Sequence, residues 1–340
     1  MASRVAISKV AVIGAGSWGT TVATLVARNC PTVLWARRGD IADEVNAHHT
    51  NRQYLPGYAL PKQLVATASL GEAVGEADVA VMAVPSHGFR EILDEARGHM
   101  APGVPVVSLT KGVEQGSLKR MTELVGELLP GHPAGVLTGP NLAREIMAGY
   151  PAASVVAMTD DALCDELYRL FRADWFRVYT NTDVIGCEVA GALKNVMAIA
   201  CGMADGMGFG DNTRAALMTR GLAELTRLGV ALGGRPLTFS GLAGMGDLVA
   251  TCTSTQSRNR HVGAQLGLGR SIDEIVTEMK MVAEGVKTTR AVVDLARRVG
   301  VEMPIAEEVA GVLYEGKAAA DVVASLMQRE TGPELSGIAG

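Results

Sequence analysis

The sequence has few aromatic residues, no cysteine pair at metal-ligand spacing and no excess of positive charge. Phe, Tyr and Trp make up 4% of the 340 residues, so Ala, Val, Leu and Met must fill the hydrophobic cores. The five cysteines are odd in number and contain no CxxC pair, which argues against a disulfide framework and against a metal site. The formal net charge of −5 gives no electrostatic reason to expect nucleic acid or an anionic membrane as a partner.

The sequence also lacks the pattern of a secretory signal or a membrane span. No basic segment followed by an apolar run opens the chain, and Lys194 and Asn195 interrupt the longest apolar stretch. We therefore expect a cytoplasmic protein without a membrane span.

Short runs rich in Val, Ile and Ala alternate with helical segments in the first half of the chain. The strand candidates are KVAVIG (9–14), TVLW (32–35), DVAVMAVP (78–85), VPVVSLT (104–110), AGVLTGP (134–140), AASVVAM (152–158) and FRVYT (176–180). This alternation predicts βαβ units and a parallel, doubly wound α/β sheet of the Rossmann type.

The second half of the chain contains long helical stretches and no strand-like run. The helices are predicted at 184–206, 213–232, 284–299 and 305–314. Since 340 residues exceed what one core usually serves, we expect two domains. The predicted boundaries are 1–182 for a dinucleotide-binding domain, 183–330 for an all-helical substrate-binding domain and 331–340 for a tail.

A glycine-rich segment, GAGSWG, follows the first predicted strand and opens a helical segment. In the dinucleotide-binding fingerprint the first glycine, here Gly14, makes a tight turn, and Gly16 lets the backbone approach a pyrophosphate. Gly19 allows close packing of helix and strand, and the helix N-terminus offers its amides to the phosphates. The order strand, turn, helix favours NAD or NADP binding over a glycine-rich turn without a ligand.

The residue that selects between NAD and NADP is expected about 20 positions further on, at the end of the second strand. The sequence there reads LWARRGD, and Arg37 and Arg38 would suit the 2′-phosphate of NADP. Asp40 is a competing carboxylate of the kind that binds the ribose hydroxyl of NAD. A solvated basic pair is the alternative, and the sequence does not decide between NADH and NADPH.

Two groups of polar residues are candidates for binding an anionic substrate. Lys111 follows a predicted strand, where ligands of parallel sheets bind, although an ordinary surface lysine is the alternative. A glycine-rich turn with Asp247 precedes the run Ser257-Arg258-Asn259, whose guanidinium matches phosphate oxygens. A solvated helix face is the alternative for this run.

Lys194 lies in the segment CEVAGALKNVMAIAC, which otherwise reads as a buried helix. An unpaired buried ammonium costs several kcal/mol, so a partner must neutralise the charge or the chemistry must use it. Desolvation and a neighbouring cation such as Lys111 would make such a lysine a usable acid or base.

The chain resembles the bacterial-type NAD(P)-dependent glycerol-3-phosphate dehydrogenases along almost its whole length. The motifs that carry the resemblance are GAGSWGT (14–20), VPSH (84–87), TKG (110–112), GALKN (191–195), DGMGFGDNTRAALMTRGLAE (205–224), GLAGMGDLVATCTS (241–254), SRNR (257–260) and VAEGVKT (282–288). The resemblance implies reversible reduction of dihydroxyacetone phosphate, a phosphorylated triose, to sn-glycerol 3-phosphate with NADPH or NADH. It further implies a homodimer whose product feeds glycerophospholipid synthesis.

The resemblance also implies roles for individual residues. Lys194 matches the catalytic lysine. The positions that match cofactor contacts, beside the three fingerprint glycines, are Ser17, Trp18, Arg37, Lys111, Ala143, Arg258, Val282 and Glu284. The positions that match substrate contacts are Lys111, Gly139, Asn141, Lys194, Asp247, Ser257, Arg258 and Asn259. Asn141 departs from the family, which usually has Thr or Ser there, so an amide replaces a hydroxyl.

Two other functions fit part of the pattern. A β-hydroxyacid or ketopantoate-type reductase also combines a Rossmann domain with a helical domain and a lysine acid/base. Its carboxylate substrate would not need the run Ser257-Arg258-Asn259 in this form. A nucleotide-sensing protein without turnover would not need a costly lysine at 194.

Overall fold

The structure is a computed structural model that describes residues 7–279, 283–330 and 332–334. The chain divides into two compact units. The first consists of the described residues up to Thr110 together with Arg120–Val184. The second consists of Lys111–Lys119 and the described residues from Ile185 onward, so Lys111 belongs to the helical unit.

The first unit is built on an eight-stranded sheet in the order β3-β2-β1-β4-β5-β6-β7-β8. The strands are β1 Val10–Ile13, β2 Thr32–Trp35, β3 Val65–Thr67, β4 Val79–Met82, β5 Val106–Ser108, β6 Ala134–Thr138, β7 Ala152–Met158 and β8 Phe176–Asn181. Neighbouring strands are parallel except β6 and β7, which pair antiparallel. The predicted α/β class and doubly wound sheet are confirmed, with this one antiparallel pair as the difference.

Helices connect the strands of the first unit. They are α1 Ser17–Val26, α2 Gly39–His48, α3 Leu70–Val74, α4 Ser86–Arg97, α5 Met121–Leu128, α6 Ala143–Met147 and α7 Asp161–Phe171.

Both faces of the sheet are covered, which explains the near-continuous apolar runs of its strands. Along β1, Val10 and Val12 pack into one hydrophobic core, whereas Ala11 and Ile13 pack into the core on the opposite face. This alternation follows from the two-residue period of a strand. All four side chains are fully buried.

The second unit is helical throughout its described elements. They are α8 Val184–Gly206, α9 Asp211–Ala231, α10 Pro236–Phe239, a π-helical turn Leu242–Gly246, α11 Asp247–Thr253, α12 Arg258–Gly267, α13 Ile272–Glu278, α14 Glu284–Val299, α15 Pro304–Tyr314 and α16 Ala319–Gln328. The predicted all-helical second half is confirmed, and the four helices predicted there have bounds within two residues of the observed ones.

Helix α8 is long and apolar enough to cross a bilayer by length and composition alone. However, 94% of its most apolar window is buried inside the protein, as in the core helix of a soluble protein. The helix therefore gives little evidence for a membrane span.

Four glycines bring α8 and α12 into direct backbone contact. A Cβ at Gly202 or Gly206 would collide with carbonyl groups of α12, and a Cβ at Gly263 or Gly267 would collide with carbonyl groups of α8. The two helices therefore pack more closely than side chains would allow.

Candidate active site

The glycine-rich turn between β1 and α1 has the backbone geometry that a dinucleotide pyrophosphate needs. Gly14 has φ +122°, and a Cβ there would lie 2.5 Å from the Ala83 carbonyl oxygen. A Cβ at Gly19 would collide with the Gly14 carbonyl. Apart from Gly16 itself and its chain neighbours, no heavy atom of the described residues lies within 4 Å of where a Cβ on Gly16 would be, so the backbone there is open to a ligand.

Ser17 and Trp18, the first residues of α1, have different surroundings. The Ser17 hydroxyl donates to the Tyr54 carbonyl at 2.8 Å, so it meets a ligand only as an acceptor while this bond holds. The Trp18 ring packs edge-on to Phe176 with 6.4 Å between centroids. Its buried Nε1–H makes no hydrogen bond within the described residues, which leaves a donor for a ligand.

Arg37 and Arg38 follow β2, as predicted, but their guanidinium groups differ. Arg38 Nε donates to Asp40 Oδ1 at 2.9 Å and Nη2 donates to Asp40 Oδ2, forming a two-pronged ion pair. Its Nη1 donates to Gln53 Oε1 at 2.9 Å. The hydrogen bond from Arg38 lowers the pKa of Asp40. Arg37 is exposed and makes no hydrogen bond to any residue that the structure describes.

A segment between α2 and β3, Asn51–Tyr54, contacts the glycine-rich turn and was missed by sequence reasoning. Asn51 is fully buried, and its Nδ2 donates to the Ala15 carbonyl and to Thr20 Oγ1, both at 2.9 Å. Nothing in the local sequence pattern predicts this contact, because it joins residues about thirty positions apart.

The turn after β6 holds the predicted substrate and cofactor residues of the first unit. Gly139 has φ +136°, and a Cβ there would lie 3.1 Å from the Ser154 Cα. Both amide atoms of Asn141 are buried without a hydrogen-bond partner among the described residues. Ala143 begins α6. Because buried polar atoms are normally satisfied, the Asn141 amide and the Trp18 Nε1–H fit a unit that binds a polar ligand.

The second unit brings two lysines onto one carboxylate. Lys194 Nζ lies 2.5 Å from Asp247 Oδ1, and Lys111 Nζ lies 2.5 Å from Asp247 Oδ2. Lys194 also donates to Thr251 Oγ1. Lys194 and Asp247 are 6% and 1% exposed, so this ion pair is buried. Asp247 therefore supplies the partner that the buried ammonium of Lys194 requires.

Asp247 is the first residue of α11 and directly follows a π-helical turn. The π-helical turn Leu242–Gly246 ends directly before it, and a Cβ at Gly244 would collide with the Phe239 backbone. Single π-helical turns often occur at functional sites. Thr251 follows Asp247 by one helical turn, and its hydroxyl donates to the Asp247 carbonyl at 2.7 Å. The i, i+4 spacing on α11 could have indicated Thr251, which sequence reasoning missed.

The cluster carries surplus positive charge, because one carboxylate faces two ammonium groups. Burial lowers the pKa of Lys111 from 10.5 to about 8, and the charge of Lys194 acts in the same direction. The charge of Asp247 opposes both effects. Such a site favours an anionic ligand or a developing negative charge.

Buried amides connect the lysine cluster to α12 and α14. Asn195 Nδ2 donates to the Lys111 carbonyl at 3.3 Å, and Asn259 Nδ2 donates to Asn195 Oδ1 at 2.9 Å. The Gly285 N–H donates to Asn259 Oδ1 at 2.9 Å. Asn259 thus has structural partners on both amide atoms and retains one N–H for a ligand.

The remaining predicted residues of the second unit lie at the starts of α12 and α14. Ser257 caps α12, and its Oγ accepts from the Arg260 N–H at 3.2 Å. Arg258 is exposed at the first position of that helix. Partial desolvation lowers the pKa of Arg258, and the negative charge of Glu284 opposes the shift. Val282 lies outside the described residues.

Within each unit, some of the predicted site residues are in contact, directly or through a linking residue. In the helical unit it joins Lys111, Lys194 and Asp247 directly, with Asn259 linked through Asn195. In the sheet unit the glycine-rich turn and Arg38 are linked through the Asn51–Tyr54 segment.

Comparisons with known proteins match the chain over nearly its full length. The family models described as NAD-dependent glycerol-3-phosphate dehydrogenase N-terminus and C-terminus match residues 9–164 and 183–324. A glycerol-3-phosphate dehydrogenase [NAD(P)+] of Sphingopyxis alaskensis is 60% identical over 96% of this chain and 98% of its own. One of Mycobacterium tuberculosis is 52% identical over 99% of both chains. The crystal structure of glycerol-3-phosphate dehydrogenase from Coxiella burnetii has a TM-score of 0.91 at 37% identity, covering 95% and 99% of the two chains.

Proposed function

The chain belongs to the NAD-dependent glycerol-3-phosphate dehydrogenase family, and on that premise we propose which of its residues carry out the reaction. The reaction is the reversible NAD(P)H-dependent reduction of dihydroxyacetone phosphate to sn-glycerol 3-phosphate. The observation that carries this proposal is the buried cluster of Lys111, Asp247 and Lys194. It provides a proton donor and surplus positive charge for a phosphorylated ketone.

The first unit would hold NADP or NAD through the backbone of Gly14, Gly16 and Gly19. The open space at Gly16 and the unpaired Trp18 Nε1–H fit a bound dinucleotide. When bound in its reduced form, the nicotinamide supplies the hydride for C2 of the substrate.

Lys194 would act as the acid/base. An ammonium has three N–H groups, and Asp247 and Thr251 accept two of them. The third is left for the C2 oxygen of the substrate, where it would polarise the carbonyl and then transfer the proton. Asp247 would hold the amine in place through the proton transfer, and Lys111 would stabilise negative charge that develops on the oxygen.

The substrate phosphate would bind near the start of α12. Ser257 and Arg258 provide a helix N-terminus and a guanidinium, both of which favour phosphate oxygens. Asn259 offers its remaining N–H. The substrate contacts of Gly139 and Asn141, and the cofactor contacts of Ala143, Val282 and Glu284, stay predictions.

The cellular setting follows from the same reaction. The product carries a phosphate and two free hydroxyls, so it suits acylation, and we propose that it feeds glycerophospholipid synthesis in the cytoplasm. We also propose a homodimer, which sedimentation equilibrium would test.

The test of the function is turnover with dihydroxyacetone phosphate, followed by the loss of reduced-nicotinamide absorbance with NADPH and with NADH. Lys194→Met keeps the length and apolar packing of the side chain but removes the proton. We expect kcat to fall by roughly 10²–10⁴-fold while cofactor affinity is unchanged. Lys287→Met, an exposed lysine on α14, is the matched control and should retain activity.

Three results would contradict this assignment. Near-parental kcat in Lys194→Met, with cofactor binding intact by fluorescence titration, would remove Lys194 from the chemistry and point to Lys111. Turnover of a 2-keto acid in preference to the triose phosphate would favour a hydroxyacid-type reductase. Cofactor binding without turnover would favour a sensor.

A further inference from the structure

The ion pair between Arg38 and Asp40 lies after β2, at the start of α2, in the region where dinucleotide-binding folds bind the adenosine ribose. Asp40 and Gln53 accept three of the five N–H groups of the Arg38 guanidinium. The remaining two have no partner within the described residues. One ion pair therefore presents both a cationic donor and a carboxylate acceptor to the ligand.

The Asn51–Tyr54 segment connects this ion pair to the turn that would bind the pyrophosphate. Asn51 holds the Ala15 carbonyl, and the Tyr54 carbonyl accepts from the Ser17 hydroxyl, so both ends of the segment are fixed on the glycine-rich turn. Gln53, between them, accepts from Arg38 Nη1 at 2.9 Å. The segment thereby sets the position of the guanidinium relative to the turn.

Arg38 and Asp40 have different effects on NADP and on NAD. The 2′-phosphate of NADP is attracted by Arg38 and repelled by Asp40. The 2′-hydroxyl of NAD has no charge and can donate to the Asp40 carboxylate. A chain that carries both groups in contact accepts either cofactor, and the balance depends on how far Asp40 neutralises Arg38.

We propose that Asp40 and Gln53 determine the cofactor specificity of this protein through Arg38. Asp40 reduces the preference for the 2′-phosphate, and Gln53 is a positioning residue that holds the guanidinium where the phosphate binds. The proposal rests on the dinucleotide site of the proposed function but not on its substrate or its chemistry.

The experiment measures binding of two small probes by calorimetry, adenosine 2′,5′-bisphosphate and adenosine 5′-monophosphate. Asp40→Asn should tighten the bisphosphate about fivefold relative to the monophosphate, because it removes a negative charge that repels the 2′-phosphate. Gln53→Ala should weaken the bisphosphate about threefold and leave the monophosphate unchanged. Arg97→Ala, at the last residue of α4 with a side chain 55% exposed, is the matched control and should change the ratio less than twofold.

For each variant, the dissociation constant of the bisphosphate is divided by that of the monophosphate. If this ratio in Asp40→Asn stays within twofold of the parental ratio, the proposed role of Asp40 is overturned. Equal weakening of both probes in Gln53→Ala would indicate a structural role only, and thermal melting would report it as a lowered Tm. Failure of the parental protein to bind either probe would overturn both this proposal and the proposed cofactor site. Because the probes lack nicotinamide and need no turnover, an inactive enzyme that binds them would contradict only the proposed reaction.

Discussion

Asp247→Asn is the substitution that tests the lysine cluster most directly. It keeps the size of the side chain but removes the negative charge that lies 2.5 Å from both Lys111 Nζ and Lys194 Nζ. Two ammonium groups would then share a buried site without a carboxylate. We expect the variant to lose stability and to change the titration of Lys111.

The size of the effect follows from burial. Removing one partner of a buried ion pair costs about 3–5 kcal/mol, because the charge that remains is desolvated and unpaired. The Lys194 side chain is 7% exposed, so its pair should contribute near the upper part of that range. Lys111 is 17% exposed and can release its proton, which limits its share. A loss of about 3–5 kcal/mol is a large fraction of the usual stability of a domain, about 5–15 kcal/mol.

Urea unfolding at pH 7, followed by circular dichroism, would measure the change in the free energy of unfolding. Asp205→Asn is a useful comparison, because Asp205 also bridges two cations, Arg214 and Arg260, but is more exposed. It should cost less than Asp247→Asn. Adding Lys111→Met to Asp247→Asn should recover part of the lost stability, because one unpaired cation is removed.

A change in the unfolding free energy of less than about 0.5 kcal/mol in Asp247→Asn would refute this reasoning, because such a value is typical of a surface substitution. It would mean that the carboxylate does not neutralise buried charge. Failure of Lys111→Met to recover any stability in the double variant would show that Lys111 is not part of the cluster's electrostatic balance.

Three further predictions follow from other side chains. The pKa of Lys111 is about 8 in the folded protein, below its ordinary value of 10.5. Between these two pH values the unfolded chain therefore binds one more proton than the folded chain. The free energy of unfolding should therefore rise with pH across that window, and urea titrations of Lys111→Met should lose this rise while Lys287→Met keeps it. Burial raises the pKa of Glu224 from 4.5 to about 7, so stability should fall by up to about 3 kcal/mol as pH rises through that window. Glu224→Gln should flatten the curve, and an unchanged curve would contradict the buried carboxyl. Arg258→Ala should lower kcat/KM for dihydroxyacetone phosphate by roughly 10- to 150-fold in steady-state assays, and an unchanged value would exclude it from the phosphate site.

The sequence indicates that Lys194 is a buried charge that needs a partner, but it does not identify Asp247 as that partner. An ammonium in an apolar helix is visible in a single local segment, and so is the glycine-rich turn before Asp247. The contact between Lys194 and Asp247 joins residues 53 positions apart. It depends on how α8 and α11 pack, and no local sequence pattern encodes that packing. Lys111 follows β5 as predicted, but no local pattern indicates that its segment packs with the helical unit.

Elements with a strong local signal were predicted well, and those without one were missed. The buried strands and long helices carry apolar runs of sufficient length. Strand β3 has three residues, and its first, Val65, is 52% exposed, so it resembles a loop. Asn51 and Gln53 are ordinary loop residues in the sequence and acquire their roles only through contacts with the glycine-rich turn and Arg38.

The glycine contact between α8 and α12 restricts how this protein could become more heat-resistant. Replacing a glycine inside a helix by alanine normally stabilises a protein by about 0.5–1 kcal/mol, and such replacements are a common route to higher Tm. Alanine would instead destabilise the protein at four glycines, because its methyl group would collide with the backbone of the facing helix. These glycines are Gly202, Gly206, Gly263 and Gly267. Variants from warmer environments should therefore retain these four glycines and gain their stability at other positions. The spacing between α8, which carries Lys194, and α12, which begins with Arg258, would then stay constant while the sequence of the rest of the helical unit diverges.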